Sequence, residues 1–151
     1  MKTVCLSCVG KLKEKFFADA VGEYSKRLSR FCKLDICELE DRAGADEIKK
    51  ESDAILGSIS AGEYVVLTDL RGESVSSEDL SSILDKAYSM GKSTVRFIIG
   101  GSNGVDDRVR RRADKVISFG KATYPHQLMR VILLEQIYRA FTISAGMPYH
   151  K

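Results

Sequence analysis

Apolar positions in the first half of the chain alternate between two spacings. Short apolar runs at 3–9, 34–39 and 63–70 are typical of buried strands. Between them, the apolar residues of 13–31 recur every three or four positions and predict an amphipathic helix. A more polar stretch, 45–59, predicts a second and largely exposed helix. The first half is therefore predicted to form three strands separated by two helices.

The second half continues this alternation after a predicted turn at Arg71 and Gly72. Ser76 or Ser77 is expected to cap the next helix, which Gly91 ends. The remaining predicted elements are a strand at 95–99, a short helix at 106–114, a strand at 116–119 and a long helix at 125–145. Strands that alternate with helices predict an α/β fold with a mostly parallel sheet flanked by helices. With 151 residues and no linker, we expect a single domain at 1–151.

The long helix at 125–145 is apolar on more than one face. One interpretation is a central helix that the rest of the chain buries completely. The other is a helix that packs on the sheet with one face and on a second copy with another. In so small a domain we favour the second interpretation, a homodimer. Arg130 and Arg139 interrupt this helix, and each is expected either to pair with Glu135 or to face a functional site.

Composition and charge place few constraints on function. Apolar residues make up 44% and charged residues 30%, as in an ordinary soluble protein, and the net charge is only +3. Basic residues cluster at 11–15, 26–30 and 108–115, which makes contact with phosphates a hypothesis. The start of the chain lacks the pattern of a signal peptide, and charges interrupt the longest apolar region, 128–143. We therefore expect a cytoplasmic protein without a membrane partner.

The four cysteines are expected to be structural thiols. Cys5 and Cys8 form a single C-x-x-C, but an offset of three along a strand points the two side chains to opposite faces. No second such pair and no nearby histidine completes a zinc site. We therefore predict neither a metal site nor redox chemistry.

Two loops in the last third of the chain are candidate binding sites. The glycine-rich loop 100–104 follows a strand, so its backbone is able to approach a ligand closely. It lacks the G-x-G-x-x-G pattern, and an ordinary tight turn is an equally good interpretation. The loop at 119–126 leads into a helix whose free N–H groups could bind a carboxylate or an adenine edge. It is also interpretable as a plain strand-to-helix connection, with Pro125 at the first helical position and Thr123 or Tyr124 near the cap.

Taken together, these segments resemble the RlmH family over essentially the whole chain. The most specific part is the combination of Pro-His-x-Leu-x-Arg-Val at 125–131 with Glu-Gln-x-Tyr-Arg-Ala at 135–140. The glycine loop with the strand before it, the opening Val-Gly-Lys-Leu-Lys-Glu-Lys at 9–15 and the terminal Tyr-His-Lys at 149–151 match as well.

The resemblance implies a SPOUT-class methyltransferase with a trefoil knot at its C-terminal end. Members of the family use S-adenosylmethionine to methylate N3 of a pseudouridine in 23S rRNA, in a stem-loop near the decoding site. They act as homodimers, need no metal, and the resemblance suggests the assembled ribosome as substrate. A knot would not follow from general topological rules, so it is an expectation from the resemblance alone.

The resemblance also implies two sets of site residues. The donor site would comprise Thr68, Gly100, Phe119, Gly120, Lys121, Ala122, Thr123 and Tyr124. The candidate catalytic residues are His126, Arg130, Arg139, Tyr149 and His150, and the sequence leaves open which of them acts as a base. This sequence departs from the family pattern at two places. At position 120 a serine is expected more often than the glycine found here, and the glycine should keep the backbone contacts. The surface segment 40–47 is short for the family.

Two other functions agree with parts of the sequence less well. A non-catalytic RNA- or ribosome-binding factor would explain the basic clusters, but it would not need the two candidate donor loops. A cysteine or serine hydrolase is disfavoured because the chain has no G-x-S-x-G and neither histidine has an evident nucleophile partner.

Overall fold

The computed structural model describes all 151 residues and contains ten regular elements around one sheet. They are β1 (Thr3–Val9), α1 (Lys15–Leu28), β2 (Lys33–Leu39), α2 (Glu47–Ser58), β3 (Tyr64–Ser74), α3 (Ser77–Ser89), β4 (Thr94–Ile99), α4 (Asp107–Arg112), β5 (Lys115–Ser118) and α5 (His126–Ser144). The five strands are all parallel, in the order β2-β1-β4-β3-β5. This confirms the predicted α/β fold with a parallel sheet flanked by helices.

Helices cover both faces of the sheet and divide the core in two. Buried residues of α1, α3 and α5 join one strand face in a cluster of 19 residues, while α2 and α4 join the other face in a cluster of 7. Strand β3 shows the division, because Val66 lies in the larger cluster and its neighbours Val65 and Leu67 lie in the smaller one. Such two-sided burial explains why the central strands are continuously apolar.

Helix α5 packs against both α1 and α3 of its own chain. Its residues Leu133, Leu134, Ile137, Ala140 and Phe141 are all buried in the larger cluster. Most of the apolar surface that we interpreted as a sign of a second copy is therefore covered within one chain. The homodimer stays a prediction, now resting on the resemblance and on the partly exposed residues of α5.

The prediction that the third strand ends in a turn at Arg71 and Gly72 is wrong. Strand β3 continues to Ser74 through an irregularity in which Thr68 and Glu73 both pair with Ile117. A Cβ at Gly72 would lie 2.6 Å from the backbone carbon of Ile117, so only glycine fits there. The glycine marks a close approach of two strands, and residues 69–72 bulge out of the sheet.

Helix ends differ by a few residues from the sequence-based prediction. Ser76 caps α3 in a capping box with Asp79, as one of the two alternatives predicted. Pro125 is the N-cap of α5 rather than its first helical residue. Helix α1 begins at Lys15 rather than at residue 13, and the Lys13 N–H that precedes it donates to the Gln127 side chain of α5.

Helix α2 is less exposed than predicted, since Glu51 and Ser52 are buried on its inner face. None of the helices combines the length and the apolar character needed to cross a membrane. The trefoil knot remains a prediction.

Candidate functional site

A cavity of about 780 Å³ lies at the carboxyl ends of β3, β4 and β5. Its walls include residues 69–71 in the bulge of β3, the glycine loop 100–104 after β4, Arg110 of α4 and most of the segment 117–126 between β5 and α5. The carboxyl ends of parallel strands are where ligands bind in open α/β sheets, and this volume suits a cofactor-sized ligand. The structure thus brings the two candidate loops of the sequence together around one space.

Seven of the eight predicted donor-site residues line this cavity. They are Thr68, Gly100, Phe119, Gly120, Ala122, Thr123 and Tyr124. Lys121 is exposed and does not line the cavity. The Thr68 hydroxyl donates to the Ile98 carbonyl oxygen at 2.9 Å, so it ties β3 to β4 at the cavity floor.

The glycine loop has little room for side chains because of what lies behind it. A Cβ at Gly101 would come within 2.5 Å of Glu51 Oε1, and a Cβ at Gly100 within 2.8 Å of Val105 Cγ1. The loop closes through a bridge between Gly101 and Gly104, and Gly104 adopts a φ of +81° that favours glycine. Burial raises the pKa of Glu51 above its ordinary value. Packing against the residues behind the loop and the φ of Gly104 therefore account for the glycines, whether or not a ligand is bound.

The loop after β5 turns at Gly120, the position where the resemblance leads us to expect serine more often. This residue has a φ of +111°, a backbone conformation that serine rarely adopts. The Ser118 hydroxyl donates to the Gly120 carbonyl at 2.7 Å and accepts from the Gly120 N–H at 3.2 Å. The glycine therefore suits the backbone conformation of this loop, which the Ser118 side chain closes.

The cavity contains charged residues that the sequence interpretation missed. Asp69 and Arg110 both line it, with Asp69 Oδ2 lying 3.2 Å from both Nε and Nη2 of Arg110. The Arg71 N–H donates to Asp69 Oδ1 at 2.9 Å. The sequence contains only weak signals for these two residues. Asp69 directly follows the predicted donor-site residue Thr68, and Arg110 lies in the basic run at 108–115.

That basic run is largely neutralised by neighbouring carboxylates. Arg108 lies 2.8 Å from Asp53 and 2.7 Å from Asp106, and Arg112 lies 3.5 Å from Asp114. These partners reduce the positive potential that a bare arginine cluster would present to phosphates. The run therefore gives less support for RNA contact than its sequence suggested.

Among the candidate catalytic residues, His126 alone lines the cavity. It is the first residue of α5 and faces Gly10, where a Cβ would lie 3.3 Å from Nε2 of the histidine. Arg130, one turn later, is 1% exposed and donates to Glu38 and to the Gly10 carbonyl. It pairs with Glu38 rather than with Glu135, and it positions the β1–α1 loop beside His126.

The other three candidates, Arg139, Tyr149 and His150, lie together away from the cavity. With their partners Glu78 and Glu135 they form a group that we call the C-terminal cluster. Arg139 pairs with Glu135 at 2.7 Å, as one alternative predicted, and lies over the Tyr149 ring at 4.8 Å. The Tyr149 hydroxyl donates to Glu135 at 2.8 Å. His150 contacts Arg139 through Nδ1 and Glu78 through Nε2. The tail is therefore packed on α5 and α3.

Burial and the neighbouring Glu135 carboxylate raise the pKa of Tyr149 to about 12. The phenol thus stays protonated and acts as a hydrogen-bond donor at neutral pH. A shallow groove lined by Phe119, Tyr124, Ile132 and Gln136 adjoins the cavity, with which it shares the two aromatic residues. The Gln136 amide donates to Glu135 at 3.0 Å, so the groove reaches the C-terminal cluster.

The whole sequence matches one family of proteins. The family described as predicted SPOUT methyltransferases matches residues 1–150. The chain belongs to the SPOUT methyltransferases. Within this family it is similar to proteins named "Ribosomal RNA large subunit methyltransferase H". The Clostridium acetobutylicum protein is 50% identical over 98% of this chain and 99% of its own length. The corresponding proteins of Lactobacillus acidophilus and Pediococcus pentosaceus are 48% and 49% identical, each over 95% of this chain and 96% of their own length.

The four thiols lie away from the cavity. All four cysteines are unpaired, and none lines the cavity. Burial raises the pKa values of Cys8 and Cys32 to about 11, which makes them poor nucleophiles. No three His, Cys, Asp or Glu side chains are grouped so as to hold a metal ion.

Proposed function

We propose that this protein transfers a methyl group from S-adenosylmethionine to N3 of a pseudouridine in 23S rRNA, in the large-subunit stem-loop near the decoding site. The observation that carries the proposal is the cavity, because seven residues that the resemblance assigns to the donor line it in a SPOUT methyltransferase. The names of relatives about half identical to this chain support the choice of large-subunit rRNA as substrate. We further propose the assembled ribosome as substrate, a homodimer as the active form and the cytoplasm as location.

The residues of the cavity suit this donor. Adenine and ribose are uncharged and suit the backbone N–H and C=O groups of the loops at 100–104 and 119–124. S-adenosylmethionine supplies an electrophilic methyl group on a positively charged sulfur, so no metal is needed for the transfer. The protein must hold the attacking nitrogen in line with that methyl group, and such positioning supplies much of the rate enhancement.

N3 of the pseudouridine carries an imide proton that must leave when the new N–C bond forms. A group that accepts this proton, or that favours the deprotonated ring, would assist the reaction. His126 is our candidate for this role, since it is the one of the five candidate catalytic residues that lines the cavity. The basic residues of the C-terminal cluster would then contact RNA rather than the reacting nitrogen.

Two measurements test the proposal. The purified protein should bind S-adenosylmethionine and S-adenosylhomocysteine in calorimetry with a chelator present. It should also add one methyl group to 23S rRNA in ribosomes from a strain that lacks the gene, as mapped by mass spectrometry of RNA fragments. Offering free 23S rRNA, large subunits and assembled ribosomes in parallel identifies the substrate form.

The alternative is a non-catalytic RNA- or ribosome-binding factor with the same fold. It predicts that the protein binds ribosomes but neither donor compound, and that the methylation state of 23S rRNA is unchanged when the gene is lost. Donor binding together with gene-dependent methylation would exclude this alternative. Absence of both would reject the methyltransferase proposal.

A further inference from the structure

The charged side chains of the cavity wall are concentrated in one place. Apart from His126, the Asp, Glu, Lys and Arg side chains on the wall are Asp69, Arg71 and Arg110. Two of them come from the bulge of β3 and the third from α4, and all three contact one another through Asp69. The rest of the wall, from the glycine loop and the segment 117–125, is uncharged. One part of the cavity wall is therefore charged, and the rest of the wall is uncharged.

We propose that Asp69 and Arg110 form the subsite for the amino-acid end of the methyl donor, an inference that rests on the proposed function. That end of the molecule carries an α-ammonium and an α-carboxylate, whereas the adenosine portion is uncharged at neutral pH. A zwitterion placed in a partly buried site needs a carboxylate for its ammonium and a cation for its carboxylate. Asp69 and Arg110 supply one of each on the same part of the wall.

The contacts of the pair leave it able to accept such a ligand. Asp69 is held independently of Arg110 by the Arg71 N–H, so its carboxylate stays fixed when the arginine moves. The Nη1 group of Arg110 donates at 3.0 Å to Asp107, whose side chain is 79% exposed. An exposed partner of this kind contributes little, and a ligand carboxylate is able to replace it. Arg110 would then bridge Asp69 and the ligand with its planar set of donors.

Two related ligands separate this role from a purely structural one. S-adenosylhomocysteine has the amino-acid end, and 5′-methylthioadenosine has the same adenosine portion without it. Calorimetry should show that Arg110→Gln weakens S-adenosylhomocysteine binding about tenfold or more, since it removes a charge-assisted hydrogen bond. Binding of 5′-methylthioadenosine should change less than about twofold, because that ligand makes no contact with the arginine.

Arg108→Gln is the matched control, since Arg108 lies on the same helix and pairs with Asp53 and Asp106 but does not line the cavity. It should leave both affinities unchanged. If Arg110→Gln melts at a much lower temperature than the wild type, Arg110→Lys is used instead. Lysine keeps the charge and loses the planar donor set, so it should again weaken S-adenosylhomocysteine binding alone.

Equal losses for the two ligands in the Arg110 variants, or no loss for either, would overturn the inference and leave the proposed function standing. Wild-type protein that binds neither ligand would instead count against the proposed function itself. The two failures are therefore distinguishable in a single set of titrations.

Discussion

At the scale of single residues, the cavity depends on glycines whose neighbours leave no space for a side chain. Gly100 is the clearest example, because a Cβ there would lie 2.8 Å from the Val105 side chain, well inside contact distance. The clash is with the residue that directly follows the loop. A substitution would therefore act by displacing the loop.

Gly100→Val is expected to weaken S-adenosylhomocysteine binding by about tenfold or more, since displacing the loop disturbs one wall of the cavity. Thermal stability should also fall, by about 1–3 kcal/mol for an overpacked site. Gly62→Val is the control, because a Cβ at Gly62 has no neighbour within 4 Å and the residue does not line the cavity. Calorimetry with unchanged affinity for Gly100→Val would reject the assignment of Gly100 to the donor site.

A second residue-scale prediction concerns the cysteines. The pKa values of about 11 for Cys8 and Cys32 leave little thiolate at pH 8, and both side chains are buried. Cys37 is only partly buried and should react first with iodoacetamide in the native protein. Intact-mass spectrometry over time should show one rapid addition, and peptide mapping should place it at Cys37. Methyl transfer should persist after this addition, whereas its loss would show that the activity depends on an unmodified Cys37.

How much of the site could be predicted depends on how far apart its residues lie in the sequence. The loops at 100–104 and 119–124 are contiguous segments, so a resemblance to a family identifies each of them as a unit. Asp69 and Arg110 are 41 positions apart, and Arg130 and Glu38 are 92 apart. Only the folded chain brings such pairs together, and no local sequence spacing predicts them.

At the scale of elements, the hydrophobic pattern predicted where strands and helices occur but not what covers them. The strands were visible because the two-sided core requires continuous apolar runs. The bulge of β3 was not visible, because Gly72 is required by the backbone of Ile117 on a neighbouring strand. Helix α5 was recognised as unusually apolar, yet α1 and α3 of the same chain cover most of that surface.

The partly exposed residues of α5 now define the test for a dimer. Ile132 is only partly buried and lines the groove beside the cavity, whereas Leu133 is fully buried in the core. Ile132→Asp should therefore convert a dimer into a folded monomer, since an interface does not tolerate an unpaired charge. Leu133→Asp should instead abolish folding. Leu133, Ile137 and Phe141 are all buried within the chain and are thus unsuitable as interface probes.

Gly57→Asp is the matched control for the added charge, because Gly57 is exposed on α2, a helix that packs on the opposite face of the sheet from α5. It should leave the assembly unchanged. Light scattering at micromolar concentration measures the mass of each variant, and circular dichroism confirms that it is folded. A wild-type protein that is monomeric in this measurement would contradict the homodimer.

At the scale of the whole molecule, the strand order explains why the last third of the chain dominates the site. Strand β4 lies between β1 and β3, and β5 pairs with β3, so the bulge of β3 and the loops that follow β4 and β5 meet at one edge. The chain then crosses the sheet as α5, and its tail returns to α3 through the contact of His150 with Glu78. Cavity and tail are thus at two places along one helix, with His126 at its start and Arg139 near its end.

The last prediction asks what the tail does. Its packing on Glu135, Arg139 and Tyr138 argues against a disordered end, and two roles remain: completing the RNA site or stabilising α5. A truncation ending at Pro148 removes the ring of Tyr149 and the imidazole of His150. If these groups contact RNA, methylation should fall by at least about a hundredfold, while donor affinity and mass in solution stay close to wild type.

Tyr149→Phe and His150→Gln separate the two roles more finely. The phenylalanine variant keeps the aromatic ring and loses the hydrogen bond to Glu135, which should cost about 1 kcal/mol of stability. If the ring stacks on RNA, Tyr149→Phe should retain most methylation, whereas His150→Gln should lose it with little change in melting temperature. Wild-type methylation by the truncated protein would refute a role in the RNA site. Parallel loss of methylation, donor affinity and melting temperature would instead show that the tail acts only by holding α5 in place.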